Sequence, residues 1–312
     1  MTTSHAGRGS HGSPLTALDA APVWIGSEPL TAGGLRGSVV LVDFWTYSCV
    51  NWLRTLPYVR AWHERYRDRG LVVVGVHAPE FGFEHDLDNV RWAVQDLGVG
   101  FPVVLDNGYA VWRAFGNHWW PSTYVLDQDG RVRFHHAGEE SYVEIEQAVQ
   151  RLLGVDGAPV EVEATGLTAA ADWPRVLSPE TYVGDARAER RTAGPVDGLP
   201  LNRWTLVGDW AVGDEVAELR SGGGSIGCRF QARDLNLVLT PSAADAPVRY
   251  VVRLDGEPPG LDGGGDVDAA GEGVLSEPRM HQLVRQQAPD GPRLFEVTFL
   301  DPGARAYVFT FG

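Results

Sequence analysis

Residues 41–52 read LVDFWTYSCVNW, and this stretch decides the fold of the first part of the chain. It continues an apolar run over residues 39–44, which has the length of a buried strand. A second run of this kind covers residues 71–77, after a stretch with helical spacing. Strand, helix and strand in this order predict a parallel β-α-β unit, with Cys49 between the first strand and its helix.

The same type of pattern continues to residue 154. It predicts a helix over 88–97, a strand over 102–105, a helix around 109–115, a hairpin with strands at 123–126 and 131–134, and a helix over 142–153. Ser141 and Glu144 predict a capping box at the start of the last helix, and Gly154 predicts a left-handed cap at its end. The expected fold is an α/β domain over residues 21–154, with a mixed sheet and helices on both faces.

The pattern changes after residue 154. Residues 155–177 are rich in Gly, Ala, Pro and Asp and predict a linker. From 178 to 312, short segments of alternating apolar residues are separated by turn residues, which predicts an all-β sandwich. Cys228 lies in phase with Ile226 and Phe230, so it is expected to be a buried core thiol. Residues 1–20 are predicted to be a flexible N-terminus.

Composition excludes several function classes. A formal net charge of −15 argues against a nucleic acid as partner. The basic side chains are all Arg, so Schiff-base chemistry on Lys and a Walker-type phosphate loop are excluded. No stretch is long and apolar enough for a signal peptide or a membrane span, so we expect a cytoplasmic protein with reduced cysteines and no membrane partner. No cofactor and no metal are expected.

The surroundings of Cys49 resemble the thioredoxin superfamily. Asp43 and Trp45 lie six and four residues before Cys49, and Pro57 lies eight after it. A closer likeness, to the soluble C-terminal region of DipZ-type proteins, covers nearly everything from about residue 36. It is carried by residues 43–51, 75–81, 119–122, 178–184 and 308–312. The resemblance implies a redoxin or TlpA-like thioredoxin domain, a β-sandwich similar to carbohydrate-binding modules, and thiol-disulfide exchange.

Two features depart from that family. DipZ-type chains carry a membrane-embedded domain ahead of this region, and this sequence shows no membrane segment. Their redox site is a Cys-x-x-Cys pair, in which the second thiol resolves the mixed disulfide formed by the first. Here Trp52 stands in the place of the second cysteine. Cys49 is therefore the predicted nucleophile without a neighbouring resolving thiol.

The resemblance implies roles for further residues. Asp43 matches the buried acid that assists proton transfer at the resolving thiol, although a structural role is equally open here. Pro121 matches the family's cis-proline, next to which the backbone of Trp120 would pair with an extended substrate. His77 and Glu80 are candidate proton carriers at the carboxyl end of a strand. The expected substrate-binding residues are Trp45, Trp52, Trp120, His77 and Glu80.

Three functions are consistent with the sequence. In the first, Cys49 forms a mixed disulfide with a disulfide-bearing protein or a low-molecular-weight thiol, and an external thiol releases it. The second is a thiol peroxidase, suggested by the spacing of Thr46 and Cys49 but weakened by Val42, where the peroxiredoxin pattern has proline.

The third is a non-catalytic scaffold whose sandwich binds a protein or a carbohydrate. Trp204, Trp210 and Tyr250 could stack on sugar rings, although core packing is the default interpretation of these aromatic residues. Cys228 is the one other thiol in the sequence that could resolve a Cys49 adduct.

Overall fold

The computed structural model describes residues 13–312. The chain divides into two compact units, one ending at Glu163 and the other spanning Ala164–Gly312. Each unit has its own sheets and its own core.

The first unit is built on a six-stranded mixed sheet in the order β1-β4-β3-β2-β5-β6. The strands β2, β3 and β4 are parallel, and β1, β5 and β6 are antiparallel to their neighbours. This is the thioredoxin-like fold that the sequence predicts. The strands are β1 (Trp24–Ile25), β2 (Val39–Trp45), β3 (Leu71–His77), β4 (Val103–Leu105), β5 (Ser122–Leu126) and β6 (Val132–Ala137).

Four α-helices accompany this sheet: α1 (Val50–Tyr66), α2 (Leu87–Asp96), α3 (Ala110–Ala114) and α4 (Tyr142–Leu153). The bounds of α4 match the prediction, and Gly154 forms its left-handed cap with φ +66°. The predicted capping box of Ser141 and Glu144 is wrong. Ser141 has φ +50° and its side chain caps no amide, because a side-chain N-cap requires extended backbone at that position.

The start of the described chain also corrects the sequence analysis. Pro14–Ala20 form a 3-10 helix, and Leu15 and Leu18 are buried in the core of the first unit. Ser13 Oγ donates a hydrogen bond to the carbonyl of Gly130 at 2.6 Å. The predicted flexible N-terminus is therefore wrong for residues 13–20, and the rest of that prediction lies outside the described residues.

The second unit contains two antiparallel sheets, ordered β15-β12-β17-β10-β9, with β7 on β17, and β14-β13-β16-β11-β8. Their inward side chains form one apolar core, so the predicted sandwich is confirmed. The strands are β7 (Thr181–Tyr182), β8 (Trp204–Val207), β9 (Trp210–Val212), β10 (Ala217–Leu219), β11 (Gly224–Phe230), β12 (Asp234–Pro241), β13 (Val248–Leu254), β14 (Glu272–Leu275), β15 (Arg279–Arg285), β16 (Arg293–Phe299) and β17 (Ala304–Phe311).

The aromatic residues considered for sugar stacking belong mainly to this core. Trp204 and Tyr250 are each 1% exposed, so core packing, the default interpretation, holds for both and neither ring is open to a sugar. Trp210 is half-buried and packs edge-on against Phe299, with ring centroids 5.9 Å apart. Inward-facing positions of a sandwich favour large aromatic side chains, which explains their burial here.

A buried carboxylate attaches the end of the first unit to its helices. Glu146 on α4 accepts hydrogen bonds from the Trp62 indole at 3.2 Å, the Tyr66 hydroxyl at 2.5 Å and the Val160 amide at 2.7 Å. Arg65 Nη1 lies 3.3 Å from the same carboxylate. The part of the predicted linker up to Val160 is thus fixed to the first unit.

Replacing Glu146 by Ala should lower the free energy of unfolding of the first unit by about 3 kcal/mol, because several buried donors lose their acceptor. The Glu144→Ala variant, on the exposed side of the same helix, is the control and should change it by less than about 0.5 kcal/mol. Urea unfolding measures the change, and mapped limited proteolysis should show earlier cleavage within residues 154–163 only in Glu146→Ala. Equal behaviour of the two variants would contradict this account.

Candidate functional site

Cys49 lies at the junction of β2 and α1. It is the N-cap residue of α1, with extended backbone (φ −84°, ψ 112°), and its amide donates a hydrogen bond to the Thr46 carbonyl at 3.2 Å. Its side chain is partly exposed. Free amides at a helix N-terminus and the positive end of the helix dipole stabilise a thiolate at such a position.

The loop before β5 lies beside the sulfur. The Cys49 thiol donates a hydrogen bond to the carbonyl of Trp120, with Sγ and O 3.6 Å apart. The peptide bond between Trp120 and Pro121 is cis, and Pro121 is buried. The Trp120 indole donates to the Ala78 carbonyl at 2.9 Å, which ties this loop to the end of β3. The structure thus brings together Cys49, Trp120 and Pro121, as the sequence analysis expected.

Trp52 is buried beneath the site. It is 0% exposed, its indole Nε1 donates to Asp43 Oδ2 at 2.8 Å, and its rings stack on Trp45 with centroids 4.2 Å apart. Trp45 is also 0% exposed, and it packs so closely on β3 that a Cβ on Gly75 would lie 2.9 Å from its Nε1. The predicted substrate-binding role of Trp45 and Trp52 is therefore wrong. Trp45 of β2 packs on Trp52 of α1, and neither side chain has exposed surface to offer a ligand.

Asp43 shares this buried layer. It is fully buried, and burial raises the pKa of its carboxyl to about 7, an effect that the hydrogen bond from Trp52 partly opposes. Asp43 Oδ2 is occupied by the indole, which is a donor that cannot be deprotonated at ordinary pH. The group that would face a resolving thiol in a two-cysteine site is here bonded to a tryptophan.

His77 ends β3 in the same layer and is 0% exposed. Its ring lies edge-on to Trp45 at 5.0 Å and parallel to Tyr47 at 5.7 Å, and neither ring nitrogen has a hydrogen-bond partner among the described residues. Burial lowers the pKa of His77 to about 3, so the ring is neutral at physiological pH. Its predicted roles in substrate binding and proton transfer are wrong for these reasons. Glu80 is half-buried in the following loop.

Glu84 also lies at the site, although no motif in the sequence indicates it. This residue is 0% exposed, and its Oε1 accepts a hydrogen bond from Ser48 Oγ at 2.5 Å. Its Oε2 accepts from the amides of Glu80 and Phe81 at 2.6 and 2.9 Å. Burial raises the pKa of Glu84 to about 7. The sequence offers one local signal, a glutamate next to aromatic residues. Its partner Ser48 lies 36 residues away along the chain, so the sequence does not indicate that the two are in contact.

Cys228 lies in the second unit, in the core of the sandwich. It is 5% exposed among Ile226, Phe230 and other apolar side chains, as the sequence predicts. Burial raises the pKa of its thiol far above the ordinary range. Exchange requires an accessible thiolate, so this environment opposes the resolving role considered for Cys228.

Two features are absent from residues 13–312. No cluster of three or more His, Cys, Asp or Glu side chains is arranged to hold a metal ion. None of the helices in this range has the length and apolar character needed to cross a membrane.

Comparisons with known proteins agree with the fold. Residues 25–152 match the Redoxin family, and residues 178–312 match the family described as thioredoxin like C-terminal domain. The protein DipZ of Mycobacterium tuberculosis (strain CDC 1551 / Oshkosh) is 33% identical over 303 residues, which cover 92% of this chain and 41% of DipZ. The chain thus spans about two fifths of the length of this relative.

Shorter proteins match the first unit. The thiol-disulfide oxidoreductase YkuV of Bacillus subtilis (strain 168) is 27% identical over 140 residues, which cover 45% of this chain and 94% of YkuV. A solution structure of a thioredoxin-like protein in the oxidized form is 28% identical, with a TM-score of 0.41, and the match covers 46% of this chain and 98% of that one. The chain thus matches the Redoxin family in its first unit and the thioredoxin like C-terminal domain family in its second, and over nearly all of its length it is similar to DipZ.

Proposed function

We propose that this chain is a thiol-disulfide oxidoreductase that works through Cys49 alone. The Cys49 thiolate attacks one sulfur of a substrate disulfide, forms a mixed disulfide and releases the other sulfur as a thiolate. An external thiol then attacks the substrate's sulfur in the mixed disulfide, which restores the Cys49 thiolate and leaves the substrate joined to that thiol. The partners are a disulfide-bearing protein and a low-molecular-weight thiol.

One observation carries the single-cysteine mechanism. Trp52 occupies the position of a resolving cysteine, is fully buried, and donates its indole N–H to Asp43. Because tryptophan has no thiol, Trp52 cannot resolve a mixed disulfide at Cys49. Cys228, the other cysteine of the chain, is buried in the sandwich core.

The surroundings of Cys49 support nucleophilic attack. The sulfur is partly exposed at the N-terminus of a 17-residue helix, where a thiolate is stabilised. The Trp120 carbonyl beside it belongs to the loop that leads into β5, before the strand pairs of the sheet begin, and an extended peptide can pair with free backbone groups there. YkuV, which is similar to the first unit, carries the name thiol-disulfide oxidoreductase.

The two alternatives have less support. A thiol peroxidase would use the Thr46 hydroxyl beside Cys49, but Thr46 is 0% exposed. A purely binding scaffold does not require the partly exposed cysteine at a helix N-terminus.

Replacing Trp52 by Cys should raise dithiol reductase activity above that of wild type, because it restores a thiol that faces Asp43 one helical turn after Cys49. Insulin reduction measures this activity. Trp52→Ser is the matched control, since it leaves a similar cavity, with a cost in stability of about 3–5 kcal/mol, but supplies no thiol. Equal rates for folded Trp52→Cys and Trp52→Ser would contradict the proposed site geometry.

The mixed disulfide of wild type should persist until an external thiol is added. We expect oxidised glutathione to modify Cys49, and the adduct to have the same lifetime in wild type and in Cys228→Ser, because a buried thiol cannot attack it. Intact mass spectrometry follows the adduct over time, with Cys49→Ser as the unmodified control. If wild type releases the glutathione unaided while Cys228→Ser retains it, Cys228 is the resolving cysteine and the proposal is wrong.

A further inference from the structure

Glu84 connects two loops at the site. It belongs to the 3-10 turn Gly82–His85 that follows β3, and its Oε2 accepts the amides of Glu80 and Phe81 of its own loop. Its Oε1 accepts the hydroxyl of Ser48, from the turn that leads into α1. The carboxylate therefore joins the loop after β3 to the residue that precedes Cys49.

The environment of the Glu84 carboxyl is unusual for an acid that only connects two loops. It is fully buried, and in the described part of the chain it forms no ion pair with Arg or His. Burial of a charge without a counter-ion is costly, and three neutral donors compensate for only part of that cost. Buried acids that titrate under such conditions occur preferentially at functional sites.

Ser48 transmits the effect of Glu84 to the thiol. Ser48 is buried and directly precedes Cys49, whose amide bonds to the Thr46 carbonyl at 3.2 Å. When Ser48 is held in this turn, the backbone of Cys49 has a defined path into α1. The Cys49 thiol then keeps its orientation towards the Trp120 carbonyl. Thiol-disulfide exchange needs the attacking sulfur in line with the disulfide, so the orientation of this turn affects the rate.

We propose that Glu84 is a positioning residue for Cys49, and that its ionised carboxylate holds Ser48 in the orientation that suits attack on a disulfide. This role matters only if Cys49 exchanges disulfides, so the proposal rests on the proposed function. The contacts that carry it are the three hydrogen bonds of the buried carboxylate.

Protonation of Glu84 changes its hydrogen bond with Ser48. Oε2 accepts two amides, so the proton binds to Oε1, which faces Ser48 Oγ. A protonated Oε1 donates to Ser48, and the Ser48 hydroxyl hydrogen must turn away from it. The charge-assisted hydrogen bond to Ser48 is then lost.

The pKa of Glu84 places this change near neutral pH. Burial raises the pKa to about 7, hydrogen bonds from Ser48 and the Phe81 amide oppose the shift, and the charge of Glu80 adds to it. Other titratable groups on this loop and on the elements packed against it are Tyr47 and Cys49 of the facing turn, the buried His77 of β3, and the exposed His85, Asp86 and Asp88.

The test compares two neutral reagents on Cys49 of the full chain between pH 5.5 and 9. Iodoacetamide and 2-hydroxyethyl disulfide both react with the thiolate, so the ratio of their rates cancels the thiolate fraction and reports how well the sulfur is placed for exchange. In wild type, the ratio of disulfide exchange to alkylation should rise as the pH increases through about 7. In Glu84→Gln it should be independent of pH and about fivefold lower at pH 8.

Two further variants complete the test. Ser48→Ala should give the same flat profile, because Glu84 acts through Ser48, and it decides the matter if Glu84→Gln fails to fold. Asp88→Asn, whose side chain is 89% exposed on the neighbouring helix α2, is the control and should keep the rise. A Glu84→Gln or Ser48→Ala variant that keeps the wild-type profile would overturn the proposal.

Failure of the proposed function would be distinguishable. It would appear as a wild-type Cys49 that is alkylated but forms no mixed disulfide. In that case the positioning role for exchange fails with it, whereas a loss of the rise confined to Glu84→Gln and Ser48→Ala supports both.

Discussion

The Trp52 indole and the Asp43 carboxyl form a hydrogen bond of 2.8 Å in the interior of the first unit, and the chemistry of the site depends on it. It gives a buried acid a donor that carries no titratable proton near neutral pH. It also fixes Trp52 against Trp45, which in turn closes over Gly75 of β3. The rings of Trp52 and Trp45 fill the space that a second thiol would occupy. The reactive sulfur of Cys49 lies at the surface of this buried layer.

Burial sets the charge state around that layer. It raises the pKa of both Asp43 and Glu84 to about 7 and lowers the pKa of His77 to about 3. The two acids keep their protons in the folded chain after the unfolded chain has lost them, so each makes stability fall as the pH rises from about 4 to about 7. His77 acts in the opposite direction between about pH 3 and 6.5, because only the unfolded chain protonates it there.

The sequence predicted the fold because its signals are local. Apolar runs of strand length, a helix ending at Gly154 and alternation in the second unit each determine one element. The position of Cys49 beside Trp120 and Pro121 followed from the spacing of a known motif. Whether the side chain at the end of a strand is buried is harder to infer. Trp45 and His77 end their strands at the site, but both are fully buried and pack against each other rather than facing the solvent.

Contacts between distant parts of the chain account for the rest. Glu84 acquires its role from Ser48, 36 residues earlier, and no pattern around either residue indicates that pairing. Ser141 has the residue type of a cap but a left-handed backbone, which depends on how β6 leads into α4. Leu15 and Leu18 hold residues 14–20 against a core that is built from distant segments of the first unit.

The central claim is that Cys49 exchanges disulfides without a second thiol of the chain. Equilibration of the full chain with glutathione tests it most directly, with the oxidised fraction of Cys49 measured by intact mass after acid quenching. A mixed disulfide depends only on the ratio of reduced to oxidised glutathione, whereas an internal disulfide depends on the square of the reduced concentration. The account predicts that the midpoint ratio of reduced to oxidised glutathione stays the same when total glutathione is raised tenfold. A midpoint ratio that shifts about tenfold, with no glutathione bound to the oxidised chain, would contradict it.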